Sequence, residues 1–554
     1  MATRDYWRRM SGISRTRRQV LFAGAAAAGV GASAVVGCSS RKPSAAGGPA
    51  ASGSGGAANL RPQPGGIFSQ RLFTDPAAFD VHQAVSYTVV WPAAPAYNQL
   101  VQFDPQDPDK KIIPDLADSF DVSLDGMTIV FRLHAGVKFH DDSDFSSEDV
   151  KVNVDWIKNP PQAKPSPRKA ALAVIDRVET PDPLTARFVL KQPSPSLLPN
   201  LATEYMVMGA KSDLAKGDLG MQFNGTGPFT LKNFRRGVSL ELERNPGYWV
   251  KDRPYLDGVK FAIVADDNTA FTDFLAGQFQ RFFPVGPENI DRVAKETNGK
   301  ATVVKAPSTN PQLLFFNGTK KPFNDIRVRQ AVSLALDRQA AIQLIVQGKG
   351  VPGGYLMPGG QWALSAGQRK QVPGYDKPDV AEAKKLLAAA GVTEPLSGRL
   401  LTRTDAIFRD MATFVQGSLQ KAFGWNYQLD VRDAAAFGDG VQKMQFDLYV
   451  SAYPNPIDDP DSLFSNIAIS TGAGNNTKIS SPETDALYAK QSQTLDVTPR
   501  KQLVQELELK LLNLFQAVGL GFPDAPHGVW KTLQNYRISS SIYVNQRYQD
   551  VWLS

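Results

Sequence analysis

Cys38 is the only cysteine in the 554-residue chain, and His82, His134, His140 and His527 are its only histidines. One thiol cannot close a disulfide within the chain or build a cysteine metal site. The four histidines are too scattered to give a metal motif. The densest group of imidazole and oxygen ligands is His140 with Asp141, Asp142 and Asp144. It lacks the regular ligand spacing and the distal Glu of an EF-hand, so it does not read as a cation loop. No G-x-S-x-G elbow and no G-x-x-x-x-G-K-[ST] phosphate loop occurs, which leaves neither an activated serine nor a nucleotide cradle. No catalytic residue, metal site or cofactor is therefore expected from these motifs.

The surroundings of Cys38 concern location. Arg15, Arg17 and Arg18 precede the apolar run Val20–Val36, which ends in Val35-Val36-Gly37-Cys38. The run falls short of the ~20 strongly apolar residues a membrane span needs. A charged start, a short apolar middle and small residues at the cut form a secretory signal, here residues 1–37. With cysteine at the cut it resembles a bacterial lipoprotein signal, and Thr16-Arg17-Arg18-Gln19-Val20-Leu21 resembles the twin-arginine export motif. The resemblance implies lipidation of Cys38 and anchoring to the outer face of the cytoplasmic membrane. Residues 38–66 then form a flexible tether, since 22 of the 28 residues after Cys38 are Gly, Ala, Ser or Pro. Its typical reach is about 30 Å.

The formal charge of +7 belongs mostly to the leader. Six of 61 basic and one of 54 acidic residues precede Cys38, so 55 minus 53 leaves +2 on the mature chain. No nucleic-acid footprint follows from that balance.

The body alternates strand and helix signals. Met127, Ile129, Phe131 and Leu133, then Leu184, Ala186, Phe188 and Leu190, then Val238, Leu240 and Leu242 show the two-residue period of half-buried strands. Ser146 with Asp149 reads as a capping box opening a helix that stops before Asn159-Pro160-Pro161. Asp379 with Glu382 opens another, and Gly391 suits its C-terminal end. Leu503, Val504, Leu507, Leu511, Leu514, Phe515 and Val518 predict one apolar face of a long helix. Asn324 or Asp325, and Asp337, are expected caps. Gly225 and Gly227 predict a turn needing positive φ. The mixture is α/β.

Taken in order, several segments resemble the solute-binding proteins of ABC importers that take oligopeptides, dipeptides and nickel. They are Tyr97-Asn98-Gln99-Leu100, Pro114-Asp115-Leu116-Ala117, Leu133-His134-Ala135-Gly136-Val137, Gly225-Thr226-Gly227-Pro228-Phe229, Glu243-Arg244-Asn245-Pro246-Gly247-Tyr248-Trp249, Pro322-Phe323-Asn324-Asp325 with Arg329-Gln330-Ala331, and Asp459-Pro460-Asp461. The resemblance implies a two-lobed periplasmic-binding-protein-like clam-shell (type II, cluster C), with an extra subdomain inserted in lobe I. Lobe I would comprise 67–97, 225–310 and 519–554, the insert 98–224, and lobe II 311–518. Crossing strands near Leu313–Phe316 and Gly519–Phe522 would form the hinge, and closure would trap an oligopeptide or similar small solute. The implied partners are a permease, an ATPase and the membrane at Cys38, with the binding protein a monomer.

In such relatives an Asp after the strand that here reads 446–453 accepts a peptide ammonium. Counting back from Asp459-Pro460-Asp461, Pro456 holds that place, and proline carries neither charge nor N–H. Free-amine dipeptides are therefore disfavoured as cargo. Longer, N-blocked or modified peptides, oligosaccharides or a hydrophobic cofactor stay open, as does a ligand sensor or adhesin on the same scaffold in place of an importer component. Ser451, Tyr453, Asn455 and Asp458 are expected to line the cleft, and Trp91, Trp362 and Trp425, with Tyr453, are candidate stacking surfaces.

Overall fold

The computed structural model describes residues 61–84, 86–160, 166–216, 222–306, 308–453 and 455–554. The expected signal, Cys38 and most of the tether lie outside them. Two large sheets organise the described chain.

The first sheet has seven strands in the order Ala301–Ala306, Ala525–Trp530, Arg281–Phe282, Ile67–Leu72, Gly258–Ile263, Ser239–Arg244 and Phe229–Arg235. Ile67–Leu72 runs parallel to Gly258–Ile263, and the outer pairs are antiparallel. One face buries Phe68, Leu240, Val259 and Phe261 with Trp91 and Tyr97. The other packs Phe271, Phe274 and Phe282.

The second sheet has six strands in the order Gly350–Val351, Ala517–Pro523, Gln312–Phe316, Leu448–Ala452, Ser397–Arg403 and Asn426–Arg432. Its centre, Gln-Leu-Leu-Phe-Phe at 312–316, is buried throughout, as a strand covered on both faces must be. Leu314 and Phe316 pack with Val328, Val332, Met411 and Val415. Leu313 and Phe315 pack on the opposite side with Val504, Leu507 and Leu511.

Between Pro95 and Gly225 lies a smaller body. Its antiparallel sheet runs Ala117–Val122, Thr128–Leu133, Thr185–Leu190, Ile175–Asp182, so the alternations at 127–133 and 184–190 lie on neighbouring strands. Helix Ser147–Lys158 opens on the Ser146/Asp149 capping box. Asp379 caps helix Val380–Ala389, with Gly391 beyond it at φ 75°. Asp325 caps Ile326–Ala335 and Asp337 caps Arg338–Val346.

Three expectations are corrected. The apolar pattern from Leu503 to Val518 is not one helix. The helix is Val497–Leu514, Phe515 ends it in the left-handed region at φ 47°, and Val518 lies in the strand Ala517–Pro523. That strand stays in the second sheet through Pro523, so the chain returns to the first sheet at Asp524 rather than 519. The outward passage is described at 308–311. Finally, Gly225 and Gly227 do not have positive φ. A Cβ there would lie 2.1 Å from the Ala96 carbonyl oxygen and 2.3 Å from the Ala96 carbonyl carbon, so close backbone approach requires glycine.

Candidate functional site

Among the described residues the chain passes between the two sheets at 308–311 and at Asp524, and both lobes send segments to the same junction. The strand Leu448–Ala452 delivers Tyr453, whose N–H donates to the Pro311 carbonyl at 3.1 Å. The Asn455 N–H donates to Asn310 Oδ1 at 2.8 Å, and Thr309 Oγ1 donates to the Asn455 carbonyl at 2.8 Å. The segment after the strand is thus bound to the outward passage. From the lobe I side, Ser541 Oγ donates to the Pro456 carbonyl at 2.7 Å. Two residues on, Tyr543 lies against Tyr205, with ring centroids 5.0 Å apart.

Arg168 enters this meeting point from the inserted body. Its guanidinium carbon sits 3.6 Å from the Tyr205 ring centroid, a cation–π contact. Arg168 Nε is buried without a hydrogen-bond partner among the described residues, while the Tyr205 hydroxyl interacts with both Tyr543 and Arg168. Burial pushes the Tyr453 hydroxyl pKa up, and the Arg168 charge pulls it partly back. Arg168, Tyr205 and Tyr543 from lobe I therefore converge with Tyr453 from lobe II. The group has donors to spare and an aromatic floor.

A second stretch of wall lies at Tyr87, which is half-buried, with its ring tilted against Trp91 at 4.7 Å and edge-to-face with Phe73 at 5.8 Å. Its pKa is pushed up to about 12, chiefly by burial, with Asp405 of the other lobe adding to the rise. Asp405 pairs with Arg403 at 2.8 Å, and Arg403 lies 5.0 Å over Phe408. Arg403 ends the strand Ser397–Arg403, so the two lobe II strands direct their carboxyl-terminal ends at the junction.

The residues named from sequence divide. Tyr453 and Ser451 are half-buried at the junction. Asn455 is there too but buried, and its side chain accepts from Ser462 Oγ, so it holds the segment in place. Asp458 is exposed beyond the junction, and its neighbour Asp459 caps the helix Pro460–Ile467. The tryptophans are a correction. Trp425 is 2% exposed, locked between Phe423 and Tyr427 in the lobe II core. Trp91 and Trp362 are equally buried, their N–H groups donating to the Ile542 and Asp458 carbonyls. None presents a face for stacking, because each ring is consumed in holding elements together. Sequence reasoning missed Arg168, Tyr205, Tyr543, Tyr87 and Arg403. Four of them come from segments far apart in the chain, so no local spacing links them.

His140 is tied down elsewhere. Its Nδ1 and Nε2 lie 2.9 and 3.1 Å from the Phe223 and Gly227 carbonyls, so it organises the turn at Gly225. Asp144 pairs with Lys138 at 2.9 Å.

Two α/β lobes, joined by two passages and meeting at a polar, tyrosine-lined junction, define a type II periplasmic binding protein. The chain belongs to the bacterial extracellular solute-binding proteins, family 5, whose middle-region model matches residues 111–475. It is 29% identical over 451 residues to the glutathione-binding protein GsiB of Pectobacterium atrosepticum, covering 79% of this chain and 84% of that one. It is 31% identical over 366 residues to di/tripeptide-binding protein 1 of Pseudomonas aeruginosa, covering 61% and 66%. Among solved structures, the Helicobacter pylori periplasmic binding protein DppA in complex with peptide STSA superposes with a TM-score of 0.78. It is 22% identical and covers 89% of this chain and 98% of that one. The binding protein AgaA of A. tumefaciens with agropinic acid gives 0.76 at 25% identity, covering 88% and 99%.

Proposed function

We propose that the protein is the lipid-anchored, extracytoplasmic capture component of an ABC importer, holding a peptide-like solute between its lobes. Cys38 carries the anchor, and the folded body works as a monomer without bond chemistry. The single observation that carries the reading is the junction itself. Arg168, Tyr205 and Tyr543 from one lobe and Tyr453 from the other surround one polar place where the lobes can part only about two passages. Relatives named for glutathione and for di- and tripeptides support a peptide-like cargo. The burial of Trp91, Trp362 and Trp425 weighs against an oligosaccharide, which would need an exposed ring face to stack on.

Ligand exerts its effect only through differential affinity for the closed form. The test is native mass spectrometry of the purified protein, followed by identification of whatever small molecule leaves it on unfolding. A peptide or amide-bonded solute is the expected result. A sugar or porphyrin retained at full occupancy would overturn the peptide reading.

A further inference from the structure

We propose that the junction selects a solute whose buried end is anionic, with Arg168 as its charge partner. This deepens the peptide reading and rests on it. Arg168 is half-buried, and among the described residues no carboxylate forms an ion pair with it. Its Nε is buried and unpartnered, and the Tyr205 ring lies beneath the guanidinium. A buried donor left unmade is costly, and this one marks a place completed by an acceptor from outside. The residues around it reinforce the sign. Tyr453 and Tyr543 add hydroxyls, not charges, and the loop facing them contributes Pro456, whose carbonyl is already taken by Ser541.

The neighbouring acid, Glu204, does not neutralise the place. Its Oε1 accepts from the Gln546 N–H at 2.8 Å, and burial raises its pKa to about 8, so it is mostly protonated at neutral pH. A guanidinium with free donor edges matches a carboxylate in a planar, charge-assisted contact. An ammonium in the same place would meet the like charge of Arg168, and such repulsion creates specificity as effectively as attraction.

The experiment is calorimetric titration of the full chain with three peptide amides that differ only at the amino end, Ala-Ala-Ala-amide, N-acetyl-Ala-Ala-Ala-amide and N-succinyl-Ala-Ala-Ala-amide, so that the succinyl group supplies the only anion. The succinyl peptide is expected to bind at least about tenfold more tightly than the acetyl peptide, the free amine being weakest. In Arg168→Gln the preference for the succinyl over the acetyl peptide should vanish. Arg168→Lys should keep the order. Thermal unfolding checks that both variants are folded, and the rank order among ligands is a readout that general loosening does not produce. If the free-amine peptide binds best, or if Arg168→Gln preserves the preference, the anionic-end inference falls while peptide capture stands. If none of the three binds the unaltered protein, the peptide reading falls and takes the inference with it.

Discussion

At the scale of single residues, burial decides what each polar or aromatic group can do. Glu204 is 4% exposed, and its pKa is raised to about 8 from an ordinary 4.5 by loss of water, with the Gln546 N–H only partly offsetting this. Glu508 is raised the same way, to about 7. The unfolded chain releases these protons above about pH 4.5, while the folded chain keeps them. Folding is therefore favoured most below pH 4.5 and loses that contribution as pH rises to about 7 and about 8. The loss is a few kcal/mol in order of magnitude. The unfolding midpoint should fall between pH 5 and pH 9, and Glu204→Gln should flatten part of the fall. A variant whose pH profile matches the parent's would show that Glu204 ionises normally. Trp425 and Tyr453 make a contrasting pair. Trp425→Ala should cost about 3–5 kcal/mol of stability and leave peptide affinity unchanged. Tyr453→Ala should weaken binding more than it weakens the fold. Titration beside thermal unfolding separates the two, and the opposite pattern would return Trp425 to the site.

Elements were legible wherever the deciding interaction is local. A capping box spans four residues, so Ser146 and Asp149 announce the helix Ser147–Lys158 by themselves. Alternation likewise needs only one covered face, which the strand at 185–190 has. The helix Val497–Leu514 shows where local reading stops. Phe515 and Val518 continue its apolar spacing, yet Arg329 donates to the Leu514 and Phe515 carbonyls at 2.9 and 3.0 Å and closes the helix from another element. The same limit hid Arg168, which lies over Tyr205, 37 residues on in the inserted body, and faces Tyr543 of the tail and Tyr453 of the opposite lobe. Glycine at 225 and 227 is also explained only by a distant neighbour, the backbone at Ala96. This separates two kinds of glycine by experiment. Gly136 has φ 75° with nothing near its missing Cβ, so Gly136→Asn should be nearly neutral, since asparagine tolerates the left-handed region. Gly227 has no such φ but meets Ala96 head on, so both Gly227→Ala and Gly227→Asn should destabilise by about 1–3 kcal/mol. Denaturant titration of the three variants is the measurement; equal tolerance at both positions would remove the close-approach account.

For the whole molecule the question is what holds the lobes in this arrangement. The inserted body does not merely hang from lobe I. Ser196 Oγ donates to Asp461 Oδ2 at 2.8 Å, and Ile457 and Leu495 from lobe II join the inserted body's own apolar core. Asp461 is set by an ionic group: Arg500 grips Asp459 through two contacts of 2.7 Å, Gln491 donates to Asp461, and Trp362 lies 4.7 Å from the Arg500 guanidinium. Burial raises the Asp461 pKa while the Arg500 charge opposes that rise. Removing the arginine, as in Arg500→Met, would leave Asp459 buried without its cation and should cost about 3–5 kcal/mol. The serine contacts are gentler levers. A hydrogen bond to a charged acceptor is worth about 1.5–3 kcal/mol and a neutral one about 1. Parting the lobes breaks the Ser196–Asp461 bond and the Ser541–Pro456 bond alike, so each stabilises the closed form relative to the open one. Ser196→Ala should therefore lower the closed-to-open ratio by about tenfold or more, and Ser541→Ala by about fivefold. Neither serine is required to touch the solute, so the change should enter as faster release with association little altered. Stopped-flow binding of N-succinyl-Ala-Ala-Ala-amide would read the rates, and small-angle scattering with and without that peptide would read the compaction. Unchanged release rates in the double variant, with the usual compaction retained, would mean that these bonds re-form or persist in the open state and that the hinge moves elsewhere.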